Sequence, residues 1–285
     1  MDQMLTQENC AVAGGTVALA VECPGCMGTR FHPLPRREFL SFCEDCELVF
    51  DNPRPTPESI SAFYNQEGQY DGWLKDLDAR DKLWRRRLRK MRPHARPGGL
   101  LDVGAGIGQF LNHAKAEYSP LVGVEISSGA IDIAKQLYNL EIMYGDIDSV
   151  EPNKQFDNVT AFHVLEHVHR PSAFLNSCKQ FLKAQGRLFL AVPNELEALA
   201  FRIGIHSLSA IKMSEPEIHL SHFTTRSLSK LLRRCGFEIL ELSLDPFWLG
   251  SSELFQGTRY VGMGVLHRLT GINLYPTIWV AAQKP

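Results

Sequence analysis

From residue 100 onward, short apolar runs alternate with stretches of helical periodicity. LLDVGAG, LVGVEIS, EIMYGDI, FDNVTAFHV and GRLFLAVPN read as strands, while GQFLNHAKAEY, GAIDIAKQLY and PSAFLNSCKQFLK read as the helices between them. Further on, TTRSLSKLLRRCG is a helix, FEILELSL a strand and TIWVAAQK a closing strand. Strands that regularly alternate with helices predict an α/β fold: a doubly wound, mostly parallel sheet covered on both faces. The chain before it is different. Residues 57–92 are helical in pattern, with PESISAFY opening one segment and LDARDKLWRRRLRKMRP forming another, stopped by Pro93 and RPGG. The expected division is a flexible N-terminus (1–20), a cysteine-bearing module (21–55), a helical linker or lid (56–98) and an α/β domain (99–285). Two irregular, apolar insertions, 195–222 and 246–275, interrupt the last and are expected to build a helical cap over a substrate site.

Composition narrows the partners. The 285 residues are 44% hydrophobic and 22% charged with a net charge of −2, so no global field favours nucleic acid or an anionic membrane. The early run AVAGGTVALAV (11–21) is too short to span a bilayer, and acidic Asp2 and Glu8 precede it instead of a basic leader segment. A cytoplasmic protein without a membrane span is expected.

Candidate chemistry starts at LLDVGAGIGQF. Gly104, Gly106 and Gly108 follow the strand at a spacing one residue shorter than the dinucleotide fingerprint G-x-G-x-x-G, and the P-loop pattern is also absent. Glycines here still permit a sharp strand-to-helix turn and close approach of backbone to a ligand. Glu125 ends the next strand, about 20 residues on, where a carboxylate can accept from two ribose hydroxyls. Asp146, after the following short strand, can accept from an exocyclic amine. Asp102 can order the loop or meet a cation.

In this order and spacing, DVGAGIG, VGVEIS, GDI, FDNVTAFHVLEHV and LAVPN resemble class I S-adenosylmethionine-dependent methyltransferases over residues 100–193. The resemblance implies a Rossmann-like seven-stranded sheet and S-adenosyl-L-methionine as cofactor. Gly104, Ala105, Gly106 and Gly108 would then meet the methionine part, with Asp102 nearby. Glu125 and Ile126 would lie at the ribose, Asp146 and Ile147 at adenine, and Phe162 and His163 near the sulfonium. The expected reaction moves a methyl group to an oxygen of a small molecule, in secondary-metabolite, sugar or quinone biosynthesis.

HVLEHV places His163, Glu166 and His167 at helical spacing, and EIHLSHFT adds His219 and His222. By residue type His163, His167, His219 and His222 are all candidate general bases. Some methyltransferases of ubiquinone biosynthesis and of small-RNA 2′-hydroxyls carry E-x-x-E-H here plus a later histidine, and bind a divalent metal. In this chain His163 replaces the first glutamate, and two or more histidines with one carboxylate suit Zn²⁺ or Fe²⁺ better than Mg²⁺. Structural bracing of the helix after the fourth strand is the preferred reading, then a base, then a catalytic metal.

Two C-x-x-C pairs, Cys23/Cys26 and Cys43/Cys46, are separated by sixteen residues, the spacing of a four-cysteine ribbon with a closed structural Zn²⁺. Similar ribbons followed by NPRP precede methyltransferase domains that modify sugars and secondary metabolites, and Tyr64 and Tyr70 resemble tyrosines over their cofactor clefts. The basic run RRRLRKMRPHAR (85–96) raises an RNA methyltransferase as the alternative enzyme, and a non-catalytic cofactor-binding scaffold is the alternative outside enzymes. A solvated helix face is the preferred reading of that run. Phe201, Ile205, Phe247, Trp248, Leu249, Phe255 and Tyr260 in the insertions suit an apolar acceptor pocket better than a phosphate track.

Overall fold

A computed structural model describes residues 17–35, 37–66, 68–194, 218–245, 253–270 and 275–285. In chain order the strands and helices are β1 (Val17–Ala18), β2 (Phe31–Leu34), β3 (Arg37–Cys43), β4 (Val49–Asp51), β5 (Arg54–Pro55), α1 (Pro57–Tyr64), α2 (Asp71–Lys75) and α3 (Leu77–Met91). There follow β6 (Leu100–Val103), α4 (Gln109–Ala114), β7 (Leu121–Glu125), α5 (Ser128–Tyr138), β8 (Met143–Tyr144), β9 (Phe156–Phe162), α6 (Pro171–Phe181) and β10 (Leu182–Pro193). The chain continues with β11 (Ser221–His222), α7 (Thr225–Arg234), β12 (Glu238–Asp245), α8 (Glu253–Thr270) and β13 (Thr277–Gln283).

Local chemistry sets several of these boundaries. Thr56 caps α1 by accepting from the Ser59 N–H, with Pro57 at the first helical position. Thr224 and Ser227 form a reciprocal capping box on α7. The near-continuous apolar runs of β9 and β13 are buried on both faces, as central strands must be.

Seven strands form one sheet in the order β12-β13-β10-β9-β6-β7-β8. All neighbours are parallel except β13, which runs antiparallel to both β10 and β12. Strand order reverses between β6 and β9, and the loops leaving the carboxyl ends there open into a crevice. The expected α/β architecture is therefore present. Residues 195–217, 246–252 and 271–274 of the insertions lie outside the described residues, and Phe201, Ile205, Phe247, Trp248 and Leu249 with them. The side chains of Phe255 and Tyr260 are also outside the description. The second insertion is not irregular throughout, since α8 occupies most of it.

The cysteine module builds a second sheet, β11-β4-β3-β2, whose edge strand comes from Ser221–His222. Module 21–55 thus shares hydrogen bonds with residues the sequence pattern assigns to a distant insertion. His222 Nε2 lies 2.9 Å from Asp51 Oδ1, with both side chains buried. Module and α/β domain also meet through His169 Nε2–H donating to the Pro55 carbonyl (2.6 Å) and Arg170 pairing with Glu22 (3.2 Å).

The basic run departs in part from its expected reading as a solvated face: Arg85, Arg89, Arg92 and Arg96 are exposed, whereas Arg86, Arg87 and Lys90 turn inward. α3 lies across the end of β12, and its inward cations are matched by acids there. Arg86 reaches Asp245 at 2.7 Å, Lys90 stands 3.6 Å from Glu241, and Arg87 is fully buried. Arg80, Leu83, Trp84, Arg87, Leu88 and Met91 share one helix face, so the arginines are carried inside by the apolar residues between them. The inward charges spent on Asp245 and Glu241 cannot also track phosphates. No described helix is long and apolar enough to cross a membrane.

His222→Ala should cost about 2 to 4 kcal/mol in chemical denaturation, because it strands a buried carboxylate. A variant of unchanged stability with abolished turnover would instead make His222 a base.

Candidate active site

A cavity of about 970 Å³ occupies the crevice. Its floor is made by the loops after β6, β7, β8 and β9, and α1 to α3 cover it. Tyr70, Trp73 and Leu77 pack on Ile107 and Ala130, which fixes the lid over the glycine loop.

Gly104 and Gly106 adopt positive φ of 72° and 53°. A Cβ on Gly104 would come within 2.4 Å of Val164, and one on Gly106 within 2.9 Å of Trp73, so both backbone conformation and space demand glycine. Glu125 draws the loop in: its carboxylate accepts from the N–H groups of Gly106 (2.7 Å), Ile126 (2.8 Å) and Ser127 (3.0 Å). Burial nonetheless raises its pKa. Asp102 is buried beneath the loop and accepts from Thr160 Oγ1 at 2.6 Å. Burial pushes its pKa up to about 7, against the Thr160 hydrogen bond and with help from the Glu125 charge. Asp146 caps the turn Ile147–Ser149 by accepting from the Asp148 N–H. Asp102, Gly104, Ala105, Gly106, Glu125, Ile126, Asp146, Ile147, Phe162 and His163 all line the cavity. Gly108 does not: it is the left-handed cap of α4 and packs against Ala134 and Leu140.

Of the four histidines, His163 and His167 reach the cavity, while His219 and His222 do not. His163 has φ 57° and is held from both sides of its ring. Nδ1 lies 3.2 Å from Glu166 Oε1, and Nε2 lies 2.8 Å from the Arg87 guanidinium. A guanidinium can only donate, so Nε2 carries the lone pair and Nδ1–H donates to Glu166. Glu166 is almost wholly buried, which alone would raise its pKa. The His163 hydrogen bond and the neighbouring His167 and His219 instead hold it below the usual carboxylate range. His167 Nδ1 meets the Ile218 carbonyl (2.5 Å) and the Tyr64 hydroxyl (3.0 Å), and its ring centre lies 4.9 Å from that of His219, tilted by 58°.

Ligand atoms of Glu166, His167 and His219 lie within 4.8 Å of one another, close enough for a metal on distance alone. The donors do not fit a catalytic one. Glu166 and His219 are behind the cavity wall, His163 offers its lone pair to a guanidinium, and Arg87 would repel a dication. The four cysteines fit better. Cys23–Cys46 and Cys26–Cys43 sulfurs are 3.5 Å apart, none is in a disulfide, and all four are buried. A zinc tetrathiolate with Zn–S of about 2.3 Å needs sulfur separations of about 3.8 Å. Backbone N–H groups of Gly25, Cys26, Gly28 and Leu48 already point at the sulfurs.

Arg87, Arg80, Trp73 and Trp84 line the cavity and were not singled out by sequence reasoning. The available signal was the arginine pair seven residues apart on the apolar face of α3.

A methyltransferase-domain family profile matches residues 77–242, more than half of the chain. The chain belongs to this family. The chain is 35% identical over 102 residues to a ubiquinone biosynthesis O-methyltransferase of Coxiella burnetii, covering 33% of this chain and 43% of that protein. It is 28% identical over 205 residues to a protein of the same name from Xanthomonas axonopodis, covering 65% and 81%. The chain thus spans under half the length of the first of these relatives. Among solved structures it resembles a SAM-dependent methyltransferase from Archaeoglobus fulgidus (TM-score 0.54, 21% identity, 74% and 99% covered). It also resembles the SAH-bound magnesium protoporphyrin IX methyltransferase from Synechocystis (TM-score 0.55, 16% identity, 81% and 100% covered). Both share the fold.

Proposed function

We propose that this chain transfers a methyl group from S-adenosylmethionine to a hydroxyl oxygen of a small molecule. The reading rests chiefly on one cavity that joins a glycine loop and strand-end acids to a histidine held as a lone-pair acceptor. S-adenosylmethionine, when bound, supplies a methyl carbon activated by its sulfonium. Gly104, Ala105 and Gly106 admit its methionine part, Glu125 accepts from the ribose, and Asp146 with Ile147 frames adenine. His163, on the loop after β9, takes the proton of the acceptor hydroxyl, and Glu166 steadies the resulting imidazolium. The protein's remaining task is alignment of an in-line displacement inside a covered site. The names of the ubiquinone-biosynthesis relatives favour oxygen as the acceptor atom and bring quinone precursors within its class.

The four cysteines, on this reading, hold a structural Zn²⁺. The tetrathiolate would carry two negative charges, and Arg54 is the buried cation beside it. Its Nε and Nη2 have no hydrogen-bond partner among the described residues. Burial pushes its pKa down to about 10, and the Asp51 and Cys23 charges oppose that shift.

Calorimetry should find one S-adenosylmethionine per chain, and no binding would overturn the reading. Asp102 is raised to about 7 in the free chain, so below that pH it carries a proton that a bound cation expels. Affinity should therefore rise with pH up to about 7 and level off above. Asp102→Asn should abolish the proton release measured across buffers of different ionisation enthalpy. His163→Asn should keep cofactor affinity and lose about 10²- to 10⁴-fold in turnover. Elemental analysis should find about one zinc per chain, lost in Cys23→Ser. In metallochromic competition, Arg54→Met should release that zinc more readily than Arg54→Lys.

A further inference from the structure

The cavity is lined by groups of both charges. Asp102, Glu125, Asp146 and Asp148 stand at or after the strand ends, and Arg87 and Trp84 of α3 face it together with His163 of the loop after β9. Arg87 has no solvent exposure, and its guanidinium carbon sits 5.1 Å from the Trp84 ring centre and 5.4 Å from that of Phe162. Asp245 stands 4.0 Å from Arg87 Nε, but Arg86 holds the same carboxylate at 2.7 Å. Burial lowers the Arg87 pKa to about 10, so it remains a cation at neutral pH. An aromatic, water-poor enclosure makes that charge act strongly on whatever oxygen comes next to it.

We propose that Arg87 and His163 together form the receptor for the acceptor hydroxyl, that the acceptor is an acidic hydroxyl of the phenol or enol class, and that it ionises there without a divalent metal. The proposal rests on the methyltransferase reading above. It assigns Arg87 a direct contact with the acceptor oxygen.

Without acceptor, the guanidinium N–H and the imidazole lone pair satisfy one another at 2.8 Å. A hydroxyl both accepts and donates. Entering between the two, it accepts from Arg87 and donates to His163 Nε2, and neither partner is left unsatisfied. A carboxylate would face Nε2 with a second acceptor, and an ammonium would face the guanidinium with a second cation. The pair therefore selects a neutral group that both accepts and donates, as a hydroxyl does. Acidity selects further: a phenol ionises near pH 10 and imidazole near 6.5, whereas an aliphatic alcohol is about as weak an acid as water, near 15.7. A neighbouring cation lowers such a pKa by about 1 to 3, which nearly closes the first gap and leaves the second open. The same cation occupies the role that a metal would otherwise fill, at the histidine that replaces the first glutamate of E-x-x-E-H.

The step balances. The acceptor O–H bond breaks and its proton passes to His163 Nε2. The oxygen electron pair forms the O–CH₃ bond while the S–CH₃ bond breaks and its pair remains on sulfur. The proton on His163 then leaves to solvent.

The test uses the full chain saturated with S-adenosylhomocysteine, with 4-nitrophenol and 4-nitrocatechol as probes at pH 6, where both are largely neutral in solution. Binding should produce the yellow absorption of the nitrophenolate anion, unchanged by added Mg²⁺ or Mn²⁺. Arg87→Met should weaken anion binding about 10- to 100-fold, with partial recovery in Arg87→Lys, while S-adenosylhomocysteine still binds both variants. Should Arg87→Met fail to fold, Arg87→Lys and the metal additions on the unaltered chain decide. Probes that bind only as neutral phenols, that fail to bind, that ionise equally in Arg87→Met, or that ionise only with added metal would overturn the proposal. Failure of the unaltered chain to bind S-adenosylhomocysteine would instead count against the methyltransferase reading.

Discussion

Glu166 is a carboxylate at 1% exposure, and such a group is tolerable only where hydrogen-bond donors and positive charge surround it. His163 donates to it from the front and His167 flanks it at 3.7 Å. Its own backbone carbonyl accepts from the N–H groups of Leu220 (2.8 Å) and Ser221 (3.1 Å). One residue thus orients the histidine facing the cavity and anchors the start of β11. Replacing it by an apolar side chain would free the His163 Nδ1–H, release the tautomer and leave Nε2 no longer committed as an acceptor.

The lid depends on the opposite solution to the same electrostatic problem. α3 carries two arginines into a buried face, each with an acceptor or a ring in place. Arg80 Nε donates to Gln109 at 3.0 Å with its guanidinium over Trp73, and Arg87 meets His163 beneath Trp84. These contacts link α3 to α4, which begins at the glycine loop, and to the loop after β9. α3 therefore ties Arg87, His163 and the cover of the glycine loop into one packed unit.

Legibility in the sequence followed the range of the interactions. The glycine loop, Glu125 and Asp146 were readable because strand, turn and acid recur at short spacing, and each pattern has a local physical cause. The four cysteines were readable for the same reason. Arg87 was hidden because a run of five basic residues among six (85–90) reads as solvated charge, and its burial depends on Phe162 and His163, about 75 residues later in the chain. The histidines of EIHLSHFT were indistinguishable by type. His222 turned out to pair with Asp51 in the ribbon sheet, a contact fixed by the antiparallel pairing of β11 with β4. No local pattern announces a two-residue edge strand.

That edge strand changes what the ribbon does. Leu220, immediately before β11, packs with Ile218, Ile60 and Phe63, and Tyr64 at the end of α1 reaches His167. Asp51 of the ribbon hydrogen-bonds through its backbone N–H to the Leu220 carbonyl at 3.1 Å. A continuous set of contacts therefore runs from the cysteine cluster through β4 and β11 to the carbonyl of Glu166 and the first lid helix. The cysteine module is therefore joined to the cavity wall through backbone hydrogen bonds, and a closed metal site that stiffened β4 would act on the cavity through them without contributing an atom to it.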